Sequence, residues 1–191
     1  MGVQDDAEDV EPGTVEEWAA WLAKHHDRGV GVWLVSRRRA ADRAFSYEDS
    51  VIEALRWGWV DSTQKPVDDE RSRIWFAPRR PGSIWTRPNK ARIARLDAEG
   101  RLEAPGRAAV EAAKASGNWT LMDAVDDRVV PDDLAAAFDA HSGSREHWDA
   151  FSASAQKQML GWVAMAKRSA TRAQRVTAIA EAAARGEKAV G

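Results

Sequence analysis

The stretch Trp57–Asn89, WGWVDSTQKPVDDERSRIWFAPRRPGSIWTRPN, sets the tightest limits on what this chain can fold into. Val51, Ile52 and Leu55 recur at helical spacing ahead of it, and Gly58 stops that helix. Trp59-Val60-Asp61-Ser62 then leaves the turn as a strand, with Trp59 and Asp61 on one side and Val60 on the other. Lys65-Pro66 ends this strand, and Asp68-Asp69-Glu70-Arg71 makes a charged turn. Arg73–Ala77 reads as the next strand, which Pro78 terminates or restricts to an edge. Arg79–Trp85 is a loop, and Thr86 caps a helix to about Glu99 with Pro88 in its first turn.

The same stretch carries an unusual charge. Four of the ten tryptophans lie in it, Trp57, Trp59, Trp75 and Trp85. From Arg71 to Leu96 there are seven arginines and Lys90 and no acid, a local charge of +8 in a chain of net charge −2. A basic block laced with indoles suits a flat anion or a surface that grips another protein. Arg79, Arg80, Ser83 and Asn89 are placed to cradle an anion at the helix start after Thr86, where free N–H groups add to the guanidinium forks. Trp57, Trp59 and Trp85 supply flat faces, and Lys65 a further cation. The blander reading makes the block a solvated surface and its tryptophans core. Asp61 is the one carboxylate placed for chemistry, but without a histidine partner it is a poor acid–base couple. A structural ion pair with Arg79 or Lys65 is its ordinary role.

On the N-terminal side, residues 1–17 hold seven acids and no Lys or Arg. Residues 1–13 have so little apolar content that a disordered leader is expected, although its acids could also lie over a basic patch. Thr14 with Glu17 opens a helix that buries Val15, Trp18 and Leu22. The apolar run Val30–Val35 is too short for a helix and rich in β-formers. Beyond Asn118 the pattern turns wholly helical, after a linker-like stretch from Trp119 to Val130. The expectation is an α+β fold over residues 14–117, with a three-stranded sheet (31–36, 58–64, 72–77) covered by helices. An all-helical C-terminal region, residues 118–191, is expected to pack on it.

With 191 residues the chain is long enough for a sizeable core without staples. The absence of cysteine removes disulfides, thiolate metal sites and cysteine nucleophiles. No Gly-rich phosphate loop, HExxH or nucleophile elbow is present, so no cofactor is implied. A pI near 6.1 and the lack of a recognised binding motif argue against nucleic acid. Single-strand binding by the Arg/Trp block stays the rival use of these residues, and an enzyme built on Asp61 a third. No run approaches the roughly 18 apolar residues of a membrane span, and no signal-peptide pattern opens the chain. The protein is expected to be soluble and cytoplasmic.

Three segments resemble the bacterial YdeI/OmpD-associated (OmdA-like) bacteriocin-protection family. They are Glu53–Ser62 around Trp57-Gly58-Trp59-Val60-Asp61, Asp69–Asn89 with Phe76-Ala77-Pro78-Arg79-Arg80-Pro81, and Val130–Leu134 continuing through Phe151–Ser154 and Thr171–Arg175 to Gly186-Glu187-Lys188. The resemblance spans roughly residues 14–188. Ser62 stands where the family usually has Gly, and Thr86 where Ser is common. The resemblance implies a small protein tied to resistance against bacteriocins or cationic antimicrobial peptides, with an envelope or porin protein as partner. It carries over no catalytic residue.

Overall fold

A computed structural model describes residue 4 and residues 6–189 of the chain. Its contacts divide it into two compact units, residues 1–118 and 119–191. The first is α+β and the second is all helix. Among the described residues no helix is long and apolar enough to cross a membrane.

In the first unit the order is β1 (Asp9–Val10), α1 (Val15–His25), β2 (Val32–Arg37), α2 (Tyr47–Arg56), β3 (Trp59–Pro66), β4 (Arg71–Pro78), α3 (Arg87–Ala98) and α4 (Ala104–Ala115), with a short 3-10 turn at Ala40–Asp42. The sheet has four strands in the order β1-β2-β4-β3. β1 lies parallel to β2, and the other pairs are antiparallel. The three expected strands are present with shifted ends, and the fourth corrects the expectation. It comes from the acidic leader, where Asp9 and Val10 pair with Trp33 and Leu34.

The leader is therefore structured over its described part, and the reason is charge as well as backbone pairing. Glu8 meets Arg28 at 2.7 Å, Asp9 meets Arg73 at 2.9 Å and Glu11 meets Arg71 at 3.6 Å. The Trp33 amide donates to Glu8 O at 2.9 Å, and its indole N–H donates to Gln4 O at 2.8 Å. These partners lie far apart in sequence, so local composition could not reveal them. The disorder expected of residues 1–3 and 5 concerns positions outside the described residues.

Aromatic packing joins α1 to the sheet. Trp18 stacks on Trp21 at 5.4 Å and meets the edge of Phe76 at 5.4 Å, while Trp21 meets Trp59 at 5.9 Å. Trp18, Trp33, Trp59 and Trp85 are almost wholly buried. At such sites truncation to Ala costs about 3–5 kcal/mol. Thr14 accepts from the Glu17 N–H at 3.1 Å and so caps α1 as expected, while the Glu17 carboxylate accepts from Gly13 rather than from Thr14. Ser46 and Asp49 form a complete capping box for α2.

α2 packs against α1, β3, α3 and α4. Its buried face carries Glu53, whose carboxylate holds Arg56 and Arg101 at 2.6 Å each. Two glycines allow the approach of α4. A Cβ on Gly106 would stand 2.3 Å from Arg56 O, and Gly58, at φ +76°, has Pro105 O 2.9 Å from the same construction. No side chain fits at either contact.

The second unit contains α5 (Asp123–Asp126), α6 (Asp132–Ala140), α7 (Ser144–Ala150), α8 (Ala153–Ala164) and α9 (Ser169–Ala184). The expected linker thus holds a short helix. Leu134, Phe138, Trp148, Met159, Val176 and Ile179 lie in one apolar cluster. Gln156 is buried there, donating to Trp148 O at 2.9 Å and accepting from Arg128 at 3.3 Å. Asp133 binds Arg172 at 2.7 and 3.0 Å.

Gly106→Ala tests the packing of α4. The added methyl meets rigid backbone, so strain outweighs the gain in helix propensity, and stability should fall by about 1–3 kcal/mol. The midpoint of urea unfolding reads this directly. A variant as stable as the parent would contradict the close approach.

Candidate ligand site around Arg79 and Trp85

Arg79 follows the last residue of β4, and its amide donates to Gly58 O at 2.9 Å, at the junction of α2 and β3. Its guanidinium lies 3.6 Å from the centre of the Trp85 ring, a stacking distance. One nitrogen, Nη1, donates to Ile84 O at 3.2 Å. The other two, Nε and Nη2, are buried and have no hydrogen-bond partner. Burial pushes the guanidinium down to about 10, and the field of Asp61 opposes that shift. Arg79 stays protonated at neutral pH, without an ion pair among the described residues. A buried donor left unpaired costs about 1–3 kcal/mol, and more when charged.

Arg79 and Trp85 line a pocket of about 160 Å³. Arg80, Pro81, Gly82 and Ser83 form its loop side. Ala109, Ala112 and Ala113 of α4, with Ser116 just past its end, form a second wall. The small alanine side chains keep this wall apolar and leave space. Arg80 is exposed and makes no ion pair among the described residues. The pocket therefore joins an apolar slot to cationic side chains on one side.

The structure divides the sequence-predicted residues. It brings Arg79, Arg80, Ser83 and Trp85 together. Asn89 is elsewhere engaged: it is buried on the first turn of α3 and accepts from Arg92 at 2.7 Å. Thr86 stands at the N-cap of α3 but makes no side-chain capping bond, and the helix start does not line the pocket. The expected cradle thus loses its helix end. Trp59 is fully buried, donating to His26 O at 3.0 Å. Trp57 packs against His26 with ring centres 4.6 Å apart and the rings tilted, and its own indole N–H is buried and unpaired. Lys65 sits near the other end of the hairpin, 5.4 Å from the Trp33 ring.

Nor does the basic block form one positive face. Arg71 and Arg73 are held by Asp68, Glu11 and Asp9. Arg92 grips Glu48, with contacts down to 2.5 Å, and Arg95 lies 3.8 Å from Glu99. Strand alternation and helical turn separate these cations, and acids outside the block neutralise them.

Asp61 accepts a 2.6 Å hydrogen bond from the Tyr47 hydroxyl. It makes no ion pair among the described residues and does not line the pocket. Tyr47 is pushed up to about 12, first by loss of water around it and then by the bond to Asp61. Tyr47 itself escaped the sequence reading.

Two family models match the chain, one on each unit. Residues 10–109, just over half of the chain, match the family described as Domain of unknown function (DUF8412), and the chain belongs to that family. Residues 127–186 match the model described as Bacteriocin-protection, YdeI or OmpD-Associated. The second match lies within the helical unit and includes no residue of the Arg79 pocket. No curated protein and no solved structure matches the chain.

The shift on Tyr47 gives a clean test, because it is the single tyrosine of the chain. Phenolate absorbance near 295 nm should titrate with a midpoint near 12. Asp61→Asn should lower that midpoint toward the ordinary tyrosine value of about 10. The folded state holds the proton more tightly, so this group's stabilisation is complete below about pH 10 and lost as pH rises through the folded value.

Proposed function

We propose that the chain is a non-enzymatic binding protein of the bacteriocin-protection type. Its first unit takes a small ligand with an apolar body and an anionic end in the Arg79–Trp85 pocket. The observation that carries this reading is the Arg79 guanidinium, stacked on Trp85 with two buried N–H-bearing nitrogens unpaired. A hydrophobic side chain would fill that place at lower cost to folding. A cation kept there at a cost to stability is accounted for by a ligand that compensates it. The alanine wall of α4 suits the apolar body, and Arg80 adds charge at the loop side.

The link to bacteriocin or antimicrobial-peptide resistance rests on the match of residues 127–186. A cytoplasmic place of action and an envelope or porin partner belong to the same reading. Cell fractionation and capture with the tagged full chain test both.

Arg79→Met keeps the apolar stem over Trp85 and removes the charge. It should abolish binding of benzoate while leaving thermal stability unchanged or raised by about 1 kcal/mol. Benzyl alcohol, which lacks the charge, should bind neither protein well. In a susceptible bacterium, the parent chain should raise survival under a cationic antimicrobial peptide and Arg79→Met should not. Equal benzoate binding by both proteins would exclude the pocket, and failure of the parent chain to protect would exclude the resistance role.

A further inference from the structure

We propose that a second concavity, formed by Arg38, Arg43 and Lys65, binds a phosphorylated small molecule. It lies by the end of β2, the end of β3 and the start of β4, and has a volume of about 320 Å³. Ser72 lies here and Arg79 beyond the other end of β4, roughly 20 Å away along the strand. The inference is independent of the Arg79 pocket.

The lining carries three cations and no carboxylate. None of the three is paired with an acid among the described residues. Arg43 donates from Nε to Arg37 O at 2.9 Å and from Nη2 to Arg38 O at 3.1 Å, which fixes its guanidinium with neutral partners. Arg38 reaches only Asp68 O, at 3.4 Å. Lys65 Nζ stands 5.4 Å from the Trp33 ring, so its ammonium keeps its hydrogen-bonding capacity. Ser72 is buried; its hydroxyl accepts from the Gln64 amide at 3.4 Å and donates to no group among the described residues.

The site thus offers positive charge and donors, and almost no acceptors. A complementary ligand has to bring several acceptor oxygens and more than one negative charge. A phosphate group does both, and arginine forks match its geometry. A carboxylate brings one charge and two oxygens. Of the acids nearby, Glu70 is engaged by Arg37 and Asp68 by Arg71, while Asp42 and Asp69 line an adjoining concavity that shares Arg38. They confine the positive field to the pocket, which favours a compact ligand over a nucleic-acid strand that would follow a stripe of charge.

Isothermal titration of the full chain with inorganic pyrophosphate tests the proposal, with adenosine diphosphate as a second arm. Binding should be measurable at millimolar ligand or below. Lys65→Met, which keeps its stem over Trp33, should weaken it about tenfold, and so should Arg38→Gln. Arg79→Met should bind pyrophosphate like the parent. Tighter binding of adenosine diphosphate with the same dependence on Lys65 would support the site and assign the phosphate to a nucleotide. No heat with millimolar pyrophosphate would overturn the proposal. So would unchanged binding by both variants, or tighter Lys65-dependent binding of an oligothymidylate.

Discussion

A buried indole N–H must be given an acceptor, and most of the first unit is arranged around that requirement. Trp18 donates to Ser50 O, Trp33 to Gln4 O and Trp59 to His26 O. Each bond ties a tryptophan to backbone roughly thirty residues away in the chain, at a helix start, in the leader and at a helix end. Apolar burial alone would let the rings slide. The donated bonds fix where each ring ends up, and with it the pairing of α1, β2 and β3 around one core. Against that background the Arg79 guanidinium stands apart: two of its nitrogens are buried without a partner, where Trp57 and Arg73 each leave one.

Electrostatics follows a similar division. A net charge of −2 hides a dense basic block, yet Arg71, Arg73, Arg92 and Arg95 of that block are paired with carboxylates from outside it. Glu53, buried between Arg56 and Arg101, does the same at the joint of α2 and α4. Such pairs contribute modestly where exposed, but they decide which cations remain available. Arg79 and Arg80 remain at one end of β4, and Lys65 with the arginines after β2 at the other.

Much of the fold was legible because local signals were strong. Gly58 after Val51, Ile52 and Leu55, the capping residues Thr14 and Ser46, and the apolar run ending at Val35 each specify an element without tertiary help. β1 was not legible. Two residues of strand leave no periodicity, and their acidic neighbours look like a solvated leader until Arg71 and Arg73 arrive beside them. The site was half legible for the same reason. Arg79, Arg80, Ser83 and Trp85 lie close in sequence and share a loop. Asn89 lies almost as close and Trp59 much farther back, and the helix turn and the strand face carry them into other contacts. The alanine wall of α4 gave no signal, since small apolar residues on a helix read simply as packing.

β1 also shields the flank of β2 that β4 leaves unpaired. An uncovered strand flank is a template for another chain. Loss of the first ten residues to a protease would uncover that flank and strand Arg73 and Arg28 without their carboxylates. The trimmed molecule would then be sticky where the intact one is quiet, so the acidic leader is also this protein's guard against clumping.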